Sequence, residues 1–143
     1  MAVKQISVFV ENKTGQLAEF MEILAQNKID MRAMSIAETR DFGILRIIVD
    51  DPERTAAVLK DAGCVFSIRE VLAVAIPDEP GSLARILHIL GENGIGLAYS
   101  YAFITRKVSL AYVIVRTADD AKAEQVFAQH GIQMAAQEEL YKL

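Results

Sequence analysis

Apolar residues fall at every second position from Lys4 to Val10, with Ile6, Val8 and Val10 on one side, and again at Leu72, Val74 and Ile76. Alternation of this kind predicts a half-buried strand in each place. The period then changes: Leu17, Phe20, Met21 and Leu24 recur at spacings of three and four, as do Leu83, Ile86, Leu87 and Leu90. A helix therefore follows each strand, stopped by Asn27-Lys28 and by Asn93-Gly94. Beyond the helices, Met31 to Thr39 and Leu97 to Thr105 read as extended. Turns at Arg40-Asp41 and Arg106-Lys107 lead into strands over Gly43 to Val49 and Val108 to Val115. A second, weaker helical pattern covers Pro52 to Ala62 and Ala118 to His130, and Val65 to Glu70 and Gln133 to Glu138 read as closing strands.

The two halves are copies. Glu11-Asn-Lys-Thr-Gly-Gln-Leu-Ala aligns with Pro77-Asp-Glu-Pro-Gly-Ser-Leu-Ala at a lag of 66 residues. The same lag superimposes Ile23 on Ile89, Leu24 on Leu90, Asn27 on Asn93 and Val49 on Val115, before the register slips by two near Gly63 and Gly131. One long period with two copies indicates a duplicated domain, not a solenoid. The expected architecture is α+β, with domains at 1–70 and 71–143. Each has the order β-α-β-β-α-β of the ferredoxin-like split βαβ, an antiparallel sheet with both helices on one face. No Pro, Gly or Ser spacer separates Glu70 from Val71, so the two are expected to join without a flexible linker.

Composition refines this picture. The chain has 143 residues, 52% of them hydrophobic, which suits a globular protein, yet each half alone buries only about 60% of its unfolded surface. The strand Gly43 to Val49 carries apolar residues on both sides, with Leu45, Ile47 and Val49 on one and Ile44 and Ile48 beside Arg46 on the other. In the second copy Leu110, Tyr112 and Ile114 lie opposite Ala111, Val113 and Val115. Scattered exposed apolar residues are ordinary. The sharper expectation is that the helix-free face packs on another sheet or subunit, which makes a homodimer. A net charge of −4 without a basic run gives no footprint for nucleic acid, and no apolar stretch approaches bilayer length. One cysteine, Cys64, forms no internal disulfide, and the expected location is the cytoplasm.

Catalytic and metal chemistry find little support. His88 and His130 have no ligand spacing, and Cys64 reads as a small buried hydrophobe. Gly91-Glu-Asn-Gly-Ile-Gly follows a helix instead of opening one, so it does not cradle phosphate. No catalytic residue, metal site or cofactor is expected.

The strand-to-helix turn, present twice, remains. Gly15 and Gly81 permit close backbone approach, the following helix presents unpaired N–H groups to a carboxylate, and Asn12 or Asp78 accepts hydrogen bonds from an ammonium group. That combination suits a free amino acid. The same residue types also serve a tight turn and helix cap without any ligand. The D-x-P-G-x-L turn of Asp78, Pro80, Gly81 and Leu83, the helix ending in Asn-Gly-Ile and the element order resemble the ACT domains, over nearly the whole chain. The first copy keeps Asn12, Gly15 and Leu17 but has Thr14 where proline is common. The chain is similar to stand-alone tandem ACT proteins, and Leu97-Ala-Tyr-Ser-Tyr-Ala-Phe fits them.

That resemblance implies small regulatory domains paired side by side, binding an amino acid at their interface and controlling a partner enzyme. The implied site comprises Asn12, Thr14, Gly15, Gln16 and Leu17, with Arg32 and Met34 from a second strand. Its counterpart comprises Asp78, Glu79, Pro80, Gly81, Ser82 and Leu83, with Ala98 and Ser100. An alternative is a non-catalytic assembly subunit without a ligand of its own, resembling an acetolactate synthase small subunit.

Overall fold

The computed structural model describes residues 2–11, 13–38, 40–105 and 109–142. The expected turn at Arg106-Lys107 lies outside them. The described residues form a mixed α/β structure with antiparallel strand pairing, in two compact units: Lys4–Arg69, and Glu70–Leu143 together with the N-terminal residues up to Val3.

In the first unit, β1 (Val3–Glu11) and β2 (Met31–Glu38) both pair antiparallel with β3 (Phe42–Val49), which gives the order β1-β3-β2. Helices α1 (Gln16–Gln26) and α2 (Pro52–Asp61) interleave with them. Ile6 and Val8 of β1 and Leu45, Ile47 and Val49 of β3 form one buried cluster with Phe20 and Leu24 of α1 and Leu59 of α2. Both helices thus cover the same side of β1 and β3.

Strand β4 (Val65–Pro77) runs without interruption through Glu70, and its later part opens the second unit. There β5 (Leu97–Phe103) and β4 flank β6 (Leu110–Thr117), and β7 (Gln133–Met134) lies outside β4, so the order is β5-β6-β4-β7. Helices α3 (Ser82–Glu92) and α4 (Asp120–Gln129) bury Ile86, Ile89, Leu90, Ala123, Val126 and Phe127 against Leu72, Val74, Ile76, Val113 and Val115. The alternating positions that predicted strands thus supply the sheet side of each core.

Three expectations are corrected. The closing strand over Gln133 to Glu138 is only two residues long, and Gln137–Tyr141 form a short helix, α5. Glu138 and Glu139 sit in its first turn, where the helix dipole favours acids, and Leu140 is fully buried. In α3 the buried stripe is Ile86, Ile89 and Leu90, while Leu83 and Leu87 are exposed. Apolar residues surround so much of this helix that spacing alone does not select the inward face. The third concerns the helix-free side of β3 and β6, expected to pack on another sheet or subunit: Ile48, Ile114 and Tyr112 are already buried within the single chain and so need no cover from a second copy, and Ile44 and Leu110 are half-buried.

Four helices end alike. After each, the backbone enters the left-handed region, at Lys28, Gly63, Gly94 and Gly131. The next residue's N–H then reaches back five positions: Ile29 to Leu24, Cys64 to Leu59, Ile95 to Leu90 and Ile132 to Phe127, at 2.9–3.0 Å. This is the Schellman arrangement, which satisfies carbonyls left over at a helix end. Lys28, with φ 52°, occupies the position that glycine fills in the other three.

Two outcomes follow from this packing. Lys28→Gly should stabilise the chain by about 0.5–1 kcal/mol, the left-handed penalty of a side chain less glycine's larger unfolded entropy, and Gly94→Lys should destabilise it; urea melts of both variants check the opposite signs. Ile48→Lys or Ile114→Lys should cost several kcal/mol through an unpaired buried ammonium and abolish folding, so circular dichroism that finds folded monomers would contradict the burial described.

Candidate functional site

The two strand-to-helix turns repeat one another bond for bond. Lys13 N–H donates to Glu11 C=O (2.8 Å) as Glu79 N–H does to Pro77 C=O (2.9 Å). Gln16 N–H donates to Lys13 C=O (3.2 Å) as Ser82 N–H does to Glu79 C=O (3.3 Å). Gly15 (φ 88°, ψ −12°) and Gly81 (φ 92°, ψ −14°) precede α1 and α3 in the left-handed conformation. A Cβ on either would meet nothing within 4 Å, so the dihedral and not crowding selects glycine. Pro80 suits a position where Thr14 makes no backbone N–H bond among the described residues.

Helix starts fall into two kinds. Asp51 caps α2 by accepting from Arg54 N–H, and Asp119 caps α4 by accepting from Lys122 N–H, each at 3.1 Å. Among the described residues neither α1 nor α3 has a side-chain cap. Their first-turn N–H groups therefore lack the partner that α2 and α4 have. Asp78, one of the residue types that could have capped, does not: it is exposed, and its own N–H donates to Ser109 C=O at 2.9 Å. Asn12 lies outside the described residues.

Beside each turn lies a cleft. The first, about 330 Å³, is lined by Glu11, Gln16, Glu19, Phe20, Cys64 and their neighbours; the second, about 250 Å³, by Glu79, Pro80, Gly81, Ser82, Arg85, Ile132 and theirs. At the lag of 66 Gln16 corresponds to Ser82, and Glu19 to Arg85, so the clefts share a place in the fold and differ in charge. Arg85 also reaches the end of α4, donating to His130 C=O at 3.4 Å.

The strand residues of the expected site stand apart from these clefts. Arg32 and Met34 on β2 do not line the first, nor do Ala98 and Ser100 on β5 line the second. Arg32 is buried and its Nη1 pairs with Asp30 at 3.2 Å, whereas Met34 and Ala98 are exposed and Ser100 is half-buried. Thr14, Gly15, Glu79, Pro80, Gly81 and Leu83 are exposed; Gln16, Leu17 and Ser82 are half-buried. Among the described residues no group of three His, Cys, Asp or Glu side chains is placed to hold a metal ion.

Sequence reasoning missed Glu19, Arg85, Cys64 and Ile132 as cleft residues. The first pair was within reach, because the repeat aligns an acid with a base. Cys64 was read as a core residue, yet it is half-buried at the cleft wall, where burial pushes its thiol above the usual value.

A family model described as an ACT domain pair matches residues 1–143. Protein BT0572 from Bacteroides thetaiotaomicron is 38% identical, over 100% of this chain and 98% of its own, with a TM-score of 0.92. The ligand-free regulatory subunit of aspartate kinase from Thermus thermophilus shares the fold at 16% identity and a TM-score of 0.63, over 88% of this chain and 90% of its own. The corresponding subunit from Thermus flavus does so at 15% and 0.55, with the same coverage. No curated protein matches the sequence.

The raised Cys64 thiol has a measurable sign. The unfolded chain loses this proton first, so the group leaves stability unchanged below the unfolded thiol's pKa and lowers it as pH rises beyond. Since thiolate is the nucleophile, iodoacetamide labelling should show a higher pH midpoint for the folded chain than for the chain in urea. Equal midpoints would remove the burial effect.

Proposed function

The chain belongs to the ACT domain pair family, and on that premise we propose that it is a non-catalytic regulatory module that binds a free amino acid and controls a partner protein or enzyme of amino-acid metabolism. We read its units as two ferredoxin-like domains, residues 1–70 and 71–143, each with both helices on one sheet face, acting as a cytoplasmic homodimer.

The observation that carries this reading is the turn built twice, with a left-handed glycine before an uncapped helix and a cleft alongside. An uncapped first turn is matched to a carboxylate. In the proposed complex the ligand carboxylate takes N–H groups beside Gly15 or Gly81. Its ammonium lies near Asn12 or Asp78. Thr14, Gln16 and Leu17, or Glu79, Pro80, Ser82 and Leu83, flank it. The second strand of an adjoining ACT domain presents Arg32 and Met34, or Ala98 and Ser100, and so gives the two sites different preferences. The fold shared with regulatory subunits of aspartate kinase is in keeping with such a role.

A thermal-shift screen of the ligand-stripped chain against the twenty amino acids tests this. At about a hundred times its dissociation constant a true ligand adds roughly 2.7 kcal/mol of stability. Because no cap bond depends on Asp78, Asp78→Ala should leave the unliganded melting temperature nearly unchanged. Combined with Asn12→Ala it should abolish the ligand-induced rise. If none of the twenty stabilises the chain, the assembly subunit without its own ligand replaces this reading.

A further inference from the structure

The two clefts share a backbone and differ in their side chains. At the lag of 66 Val10 aligns with Ile76, Gln16 with Ser82 and Phe20 with Ile86, so the apolar wall and the helix start recur in both. The charges do not recur. Glu19 and Arg85 hold the same place in the first turn, where Glu19 N–H donates to Gly15 C=O and Arg85 N–H to Gly81 C=O, both at 3.0 Å. Both side chains are exposed, and no ion pair among the described residues engages either. Arg85 donates to the His130 carbonyl at 3.4 Å, a neutral group that leaves its charge uncompensated. The first cleft has a second acid, Glu11, but Lys13 pairs with it at 2.9 Å, and no basic side chain among the described residues lines that cleft. The second is lined by Glu79 as well as Arg85. Glu19 is therefore the uncompensated charge of the first cleft, while the second holds one charge of each sign.

We propose that Glu19 and Arg85 set the charge class of the amino acid each cleft accepts: a cationic side chain, as in lysine, in the first, and a carboxylate side chain, as in glutamate, in the second. The assignment rests on the proposed function, in which the ligand's α-carboxylate takes the N–H groups beside Gly15 or Gly81. Since the two backbones match, that end of the ligand does not distinguish the clefts, and the side chain does. A lysine ammonium gains Glu19 as its counter-charge in the first cleft and meets the like charge of Arg85 in the second. A glutamate side-chain carboxylate matches the fork of N–H donors on the Arg85 guanidinium and is repelled by Glu19. In the second cleft Glu79 remains to accept from the α-ammonium. Opposite charges at one position thus work by rejection as much as by attraction, which is how one scaffold used twice separates two ligands. A neutral side chain satisfies neither charge.

Titration calorimetry of the full, ligand-stripped chain with L-lysine and with L-glutamate tests the proposal. Cys64 reports which cleft is filled, because it lines the first, whereas Ile132 stands in the second. Saturating L-lysine should slow iodoacetamide labelling of Cys64, and L-glutamate should leave it unchanged. Glu19→Arg should weaken L-lysine about tenfold or more, and Arg85→Glu should do the same to L-glutamate, because each replaces attraction by repulsion. Glu19→Gln and Arg85→Gln, which remove a charge without reversing it, should give smaller losses in the same order, with circular dichroism confirming the fold of every variant. Binding of either amino acid that ignores these changes, or protection of Cys64 by L-glutamate, overturns the assignment. A neutral amino acid that binds more tightly than both overturns it as well and leaves the regulatory reading standing. If none of the twenty binds, both fall.

Discussion

A strand that is apolar on both sides can rest only where it is covered twice, and β3 and β6 are such strands. On one side Leu45, Ile47 and Val49 meet α1 and α2, while Val113 and Val115 meet α3 and α4. On the other, Ile48, Tyr112 and Ile114 are buried as well. Each unit is small enough that a single covered face would leave it marginal. On that side Gln5 is buried too, and its Nε2 donates to Ser7 Oγ at 3.2 Å.

The helices divide their labour by how they begin. Helices α1 to α4 all end in the same left-handed turn with the same backward hydrogen bond. Only α2 and α4 start on a capping aspartate, and α4 adds a second anchor, with Asp120 accepting from the backbone and hydroxyl of Thr117 and pairing with Arg116. These helices are closed at the N-terminus. By contrast α1 and α3 open directly off a glycine, so the N–H dipoles at their starts face the surface uncompensated by a side chain. A stable frame therefore stands beside a pair of helix starts left available for chemistry, and Glu19 against Arg85 shows how far the two copies have diverged at that place while the backbone stayed the same.

Much of the framework was legible because it rests on local rules. The period change at Gly15 and Gly81, the stops at Asn27 and Asn93, and the alternation in β1 and β4 each express backbone geometry over a few residues. The Asn27 and Asn93 side chains donate to the carbonyls of Ile23 and Ile89, both at 2.8 Å, as equivalent residues should. What escaped depends on the third dimension. Whether Leu87 or Ile89 faces inward is decided by what α3 packs on, since both lie on apolar stripes. Gln133 to Glu138 had enough alternation for a strand, yet burying Leu140 in a helical turn over Gln137–Tyr141 prevailed. In the candidate site the turn residues announced themselves, whereas Cys64 and Ile132 come from the far side of the sequence, and only folding brings them to the cleft wall.

Strand β4 carries a consequence for the history of the sequence. It extends for 13 residues, and from Val71 to Ile76 every side chain is buried, with Leu72, Val74 and Ile76 in the helix-covered core and Val71, Ala73 and Ala75 on the reverse. Side chains alternate along a strand, so an insertion or deletion of one residue exchanges the two sets. A bulky Leu or Ile would then stand where an Ala fits. The copies differ in length by two residues, and that slip falls near Gly63 and Gly131, in the turns after α2 and α4. Tandem domains usually accumulate length changes in the segment that links them. Here parity forbids it, and the linking segment becomes the one in which gain or loss of a codon is least tolerated.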